Sequence, residues 1–192
     1  QVLCPGDMMA SNPQWRMTRS EWIRTFRGWV GAPQPDALLN AQIYFDMRAL
    51  AGTSALADDV HAHAVAMAKA APRLHAHLAA LAVRREPPLG FFRGFVVERG
   101  GEYADTLDIK RGGTYPIMQM ARLYALKAGV TEVGTRERLR AAAGDTLSHE
   151  AAVNLTDALD YLSSLALAHQ SQQLRAGKKP DYHIAPDQLT SM

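Results

Sequence analysis

The stretch from Ser148 to Gly177 constrains the fold most. Within it Leu155, Leu159, Leu162, Ala166, His169 and Gln173 recur at intervals of four and three. That spacing puts all six on one face of a single long helix, the seam of a bundle helix. Ser148 is placed to cap its start and Gly177 to close its end. A helix of this length, buried along one face, needs other helices against it. Aromatic residues make up only 7% of the chain while alanine is abundant, which favours closely packed helices over a β-sandwich.

The rest of the chain supplies those helices. Ser20 is a candidate N-cap for a helix carrying Trp22, Ile23, Phe26, Trp29 and Val30, broken by "GAPQPD". A second helix is expected to about Leu50, with Leu39, Ile43 and Leu50 on one stripe. A third, capped by Thr53 or Ser54, reaches Pro72, and a fourth runs from there toward Pro87-Pro88. A fifth spans about 115–128 and ends at Gly129, and a short one follows Thr135. The one interruption is β. Around Gly100-Gly101, "GFVVERGGEYADTLDIK" reads as a two-residue hairpin pairing Arg99 with Glu102, Val97 with Ala104 and Phe95 with Thr106. The expected fold is mainly α, a helical bundle with one inserted hairpin at about 95–110.

Composition bounds the function. The 192 residues suit one domain, or one domain and a fragment of another. A net charge of +2 is too small for a nucleic-acid footprint. No apolar stretch approaches the roughly 20 residues that span a bilayer, so neither nucleic acid nor membrane is an expected partner. Cys4 is the only cysteine, which rules out an intrachain disulfide and fits a reducing cytoplasm.

The candidate chemistry begins at "TLDIKRGGTYP", residues 106–116. Leu107 and Ile109 alternate with Asp108 and Lys110, so a strand here would set the two charges on the face opposite the apolar pair. Gly112-Gly113 break the strand and Thr114 with Pro116 open a helix. Lys110 and Arg111 beside that helix start form either an anion site or a surface turn with solvated charges. Asp46 falls on the Leu39–Ile43–Leu50 stripe, where a carboxylate needs a partner or a cleft, and Arg48 diverges from it by about 200° around a helix. His169 lies on the long seam with Gln170 beside it, while Arg122 and Arg138 sit on the helices after the hairpin. His61 with His63, and His75 with His77, are spaced i, i+2 and diverge on a helix, so neither pair chelates a metal alone. The sequence contains no Gly-Ser turn followed by an Asp-x-Asp pair, no nucleophile elbow and no Walker loop.

Read together, "CPGDMMASNPQW", "FDMRALAG", "PPLGFF", "LDIKRGGTYPIMQMARLYAL", "TRERLRAA" and "LALAHQSQQLRAG" resemble, in that order, a bacterial nucleotidyltransferase family. Its members look like the uridylyltransferases that modify the PII signal protein, with regulatory, catalytic and helical substrate-binding domains in turn. The resemblance implies that residues 1–18 are the tail of an upstream catalytic domain and 19–192 the helical substrate-binding domain. It carries a binding role onto Asp46, Arg48, Asp108, Lys110, Arg122, Arg138, His169 and Gln170, with Arg111 added by the helix-start reading. The fragment itself is expected to hold no cofactor and no catalytic carboxylates, with Mg²⁺ and a nucleoside triphosphate serving the full-length enzyme. The implied partners are the upstream domain of the same chain and a protein acceptor, and a homo-oligomer is compatible with them. One departure stands out: Ala166 and Ala168 occupy places where the family usually shows arginine, which weakens phosphate binding at that helix. A non-catalytic interaction or oligomerisation module is the alternative reading.

Overall fold

A computed structural model describes residues 12–84 and 95–189. The segments "CPGDMMAS" and "PPLGFF" of the resemblance lie outside the described residues. The chain divides into two compact units between Leu74 and His75.

The first unit starts with a capping box. Thr18 Oγ1 accepts the Glu21 N–H, and Glu21 returns a carboxylate to the Thr18 N–H at 2.7 Å, so the cap of α1 (Arg19–Gly31) stands two residues before the Ser20 cap expected from sequence. Helices α2 (Pro35–Tyr44) and α3 (Ser54–Lys69) pack on α1. The contact of α2 with α1 is aromatic: the Trp22 ring lies 4.8 Å from Tyr44 and 5.9 Å from Phe26 of its own helix, and Trp29 stacks on Tyr44 at 5.5 Å. Burial among these rings pushes the Tyr44 hydroxyl up to about 12.

Helix α2 departs from expectation in length and in face. It ends at Tyr44, and its buried residues are Leu38, Ala41 and Gln42, with Phe45 at its end. Leu39, Ile43 and Leu50 are exposed. The first set follows the three-four spacing that keeps side chains on one face, and bulky Phe45 completes it. The Phe45 carbonyl meets His61 Nε2 of α3 at 3.0 Å, which ties the helix end down. Asp46 and Arg48 therefore follow the helix and do not ride its stripe.

The second unit is built on α7 (His149–Arg175), with the Ser148 side chain accepting the Ala151 N–H and Gly177 at φ +68° beyond its end. Helices α5 (Tyr115–Ala128) and α6 (Thr135–Ala142) pack together and onto it. Ile117, Ala121, Leu139, Ala142, Leu147, Ala152 and Leu159 form their core. The fourth helix, α4 (Pro72–Val83), carries the division between the units. Seven α-helices and one two-stranded antiparallel sheet are present among the described residues, in keeping with the mainly α class.

The sheet differs in detail from the expected hairpin. The chain does reverse at Gly100-Gly101, with Gly101 at φ +79°. Glu98, however, donates to the Thr106 carbonyl and accepts from the Asp105 N–H, both at 2.9 Å. Two residues oppose one, and Asp105 holds φ +60°, a β-bulge with its first residue left-handed. The extra residue slips the expected register. The ladder itself joins β1 (Leu107–Asp108) to β2 (His183–Ile184), strands far apart in sequence, with Leu107 opposite Ile184 and Asp108 opposite His183. Leu107, Ile109 and Ile184 are buried against Leu165 and Ala166 of α7, which stabilises the sheet by roughly 2 kcal/mol for each large side chain.

Candidate functional site

The burial expected at residues 107–110 is present, but only Leu107 and Asp108 are strand; Ile109 has helical backbone angles and Lys110 opens a π-helical turn. With Leu107 and Ile109 buried on α7, Asp108 and Lys110 turn to the opposite side and line a cleft of about 560 Å³. Its other wall is the segment after α7: Lys178, Lys179, Pro180, Asp181, Tyr182 and His183. Glu102, Tyr103 and Gln173 complete it.

The turn after β1 is a π-helical turn, Lys110–Thr114, running straight into α5. The Thr114 N–H reaches back five residues to the Ile109 carbonyl at 3.1 Å. Asp108 Oδ1 accepts the N–H groups of Lys110 (3.1 Å) and Arg111 (2.9 Å). The first donors of the helical turn are thus taken by the protein's own carboxylate, so an anion here would meet the side chains of Lys110 and Arg111 and not these N–H groups. Gly113 lets the turn approach α7: a Cβ there would stand 2.8 Å from Leu162 Cδ1.

Asp181 organises the opposite wall. Its N–H donates to Gln173 Oε1 at 2.9 Å, and its carbonyl accepts from Gln170 Nε2 at 3.1 Å. Its Oδ1 accepts the His183 N–H at 2.8 Å and lies 3.4 Å from His169 Nε2. Burial pushes this carboxyl up, but the His183 N–H, Gln173 and His169 outweigh it and hold Asp181 below the usual carboxylate range. His183 stacks on Tyr103 with centroids 3.6 Å apart and stands 3.9 Å from both Asp108 and Asp181. The Lys110 ammonium lies 5.1 Å from the centre of the Tyr182 ring, a cation–π contact.

The sequence-selected residues therefore separate. Asp108 and Lys110 line the cleft, and His169 and Gln170 stand behind it, holding Asp181. Arg111 is exposed beside it. Arg122 and Arg138 are buried on α5 and α6, where Arg122 donates to Gln119 Oε1 at 2.9 Å and Arg138 to the Glu132 carbonyl at 2.8 Å. Neither lines the cleft. Asp46 and Arg48 belong to the first unit. Sequence reasoning missed Tyr103, Lys178, Lys179, Asp181, Tyr182 and His183. The available signal was "DYHI", whose alternation marks a short strand directly after two lysines.

Mg²⁺, implied by the resemblance, finds no fit in this donor set. Among the described residues no three His, Cys, Asp or Glu side chains converge to hold a metal ion. The Asp108 and Asp181 carboxylates in the cleft are engaged by N–H groups.

Helices around a charged, aromatic-lined cleft define the class, a helical domain with a polar binding cleft. The family described as "putative nucleotidyltransferase substrate binding domain" matches residues 72–192, which contain the whole cleft, and the chain belongs to that family. A second family, described as "putative nucleotidyltransferase DUF294", matches residues 1–36. No curated protein matches the chain. No solved structure matches it either. Among the described residues no helix is long and apolar enough to cross a membrane.

Proposed function

We propose that the second unit is the substrate-binding part of a cytoplasmic bacterial nucleotidyltransferase similar to the uridylyltransferases of PII signalling. In this reading it positions the nucleotide or a protein acceptor for an upstream catalytic domain that brings the Mg²⁺. One observation carries it: the end of β1 and the segment after α7 bring Asp108, Lys110, Lys178, Lys179 and His183 onto one cleft. That cleft lies wholly within the residues matched by the substrate-binding family. Its volume, about 560 Å³, suits a small-molecule ligand or a peptide segment. The test is nucleotidyl transfer by the full-length enzyme carrying Lys110→Ala, alone and with Lys178→Ala and Lys179→Ala. A KM raised at least about tenfold for one substrate, with stability retained, supports the reading. Unchanged KM values for both substrates overturn it.

One observation favours the second reading, an oligomerisation module. Val153, Leu167 and Leu174 of α7 lie at multiples of seven residues and are 58%, 70% and 62% exposed. A monomer by sedimentation at high concentration would remove that alternative.

A further inference from the structure

The charges of the cleft are not balanced in what they leave available. Asp108 is engaged by the N–H groups of Lys110 and Arg111, and Asp181 by the His183 N–H and His169. Lys178 and Lys179 are exposed, and no described carboxylate lies within ion-pair distance of either. Lys110 rests on an aromatic face and not on a carboxylate. Three ammonium groups from two separate stretches of chain are thus open to one cavity, against the single exposed carboxylate of Glu102. Lysine is a flexible point-charge ligand for phosphate, and several of them around one cavity suit an extended anion better than a single carboxylate.

The lysines are also held in place. The Lys178 N–H donates to the Gln173 carbonyl at 2.8 Å, which fixes the turn out of α7. Three residues later Asp181 is held through its N–H, carbonyl and side chain together. The segment bearing Lys178 and Lys179 is therefore pinned at both ends. From the same segment the Tyr182 ring holds the Lys110 ammonium of the facing wall beside the cavity before any ligand arrives. Such preorganisation lowers the ordering cost of binding.

We propose that this cleft binds the polyphosphate arm of a nucleoside triphosphate, with Lys110, Lys178 and Lys179 as its contacts and Asp181 as the residue that positions the latter two. This deepens the substrate-binding reading and rests on it. The ligand of the cleft is then the nucleotide, and a protein acceptor docks elsewhere.

The 192-residue chain, titrated calorimetrically with UTP, inorganic tripolyphosphate and uridine, tests this. UTP and tripolyphosphate are expected to compete for one site, to weaken as salt rises, and to bind at least about tenfold more tightly than uridine. Lys178→Ala with Lys179→Ala should weaken both anions at least about tenfold. Lys127→Ala, an exposed lysine of α5 that does not line the cleft, should change neither. Asp181→Asn should raise the dissociation constant at unchanged stoichiometry, whereas mere loss of folded protein would lower the stoichiometry. Absence of UTP binding, uridine binding as tightly as UTP, or lysine variants that bind normally would each overturn the polyphosphate assignment. If these fail while the lysine variants of the full-length enzyme still raise KM for the acceptor, only this assignment falls. If KM is unchanged for both substrates, the substrate-binding reading falls as well.

Discussion

The side chain of Asp108 accepts the backbone N–H of Arg111 at 2.9 Å, so the residue that lines the cleft also caps the helical turn leading into α5. Binding surface and local fold meet in one carboxylate. Asp108→Ala should cost about 1 kcal/mol through the lost cap. Asp108→Asn, which keeps an acceptor oxygen, should cost less. Urea unfolding of the two variants beside the wild type orders them, and equal losses would mean that the cap contributes nothing.

Gly113 touches Leu162 closely enough that any side chain must displace it. Gly113→Ala should destabilise the protein by about 1–2 kcal/mol, as overpacking does when one flexible side chain can give way. Combining it with Leu162→Ala should cost less than the sum of the two, because the second change makes room for the first. A double-mutant cycle measures the coupling, and strict additivity would refute the contact.

Asp181 gives the protein an acid-sensitive anchor. Its folded pKa lies below its ordinary value of 3.8, so its contribution is fully present above the unfolded value. It is lost as pH falls through the folded one. Asp181→Asn should therefore be less stable than wild type at about pH 7, and the gap should close as pH falls below 3.8. Denaturant midpoints of both proteins across that range decide it, and a gap that widens on acidification would reverse the sign.

How much could be read from sequence follows from the range of each interaction. The long helix α7 was legible because its seam, cap and closing glycine are local signals that agree. The face of β1 was legible in part: alternation buries Leu107 and turns Asp108 away, whereas Ile109 already has helical backbone angles and Lys110 begins the π-helical turn. The partner of β1 was not legible, since a two-residue strand carries almost no pattern and its mate lies beyond α7. The bulge at Asp105 hid behind a glycine pair that suggests a tight turn. On α2, apolar residues on both faces supported two stripes, and an exposed leucine is too common to tell them apart. The cleft was half legible. Lys110 sits in a recognisable strand-turn-helix, but Lys178 and Lys179 join it through the β1–β2 ladder and through side-chain bonds of Gln170 and Gln173 to Asp181.

Ala166 tests whether the missing arginine matters at this site. It is buried against Leu107, Ile109, Leu165 and Ile184, so a cation there would enter the core under the sheet and not the cleft. Ala166→Arg should destabilise the protein by at least about 2 kcal/mol, from overpacking together with a buried charge. It should not improve UTP binding by the folded fraction. A stable variant with tighter UTP binding would show that position 166 can reach the ligand.

The two kinds of cation in this domain should separate in experiment. Arg138 is 3% exposed and its Nε donates to the Glu132 carbonyl, whereas Lys110 is exposed at the cleft and rests on Tyr182. Arg138→Ala removes a buried charged donor from the Glu132 carbonyl and its aliphatic stem from the packing around α6. It should cost about 2–4 kcal/mol. Nucleotide affinity per folded molecule should stay near that of wild type, because Arg138 does not line the cleft. Lys110→Ala should do the opposite, leaving stability within about 1 kcal/mol while weakening UTP binding at least about tenfold. Urea unfolding and calorimetric titration of the same two preparations measure both quantities. Arg138→Ala with full stability and lost binding would move that residue into the site, and Lys110→Ala with lost stability and intact binding would reduce Lys110 to a structural role.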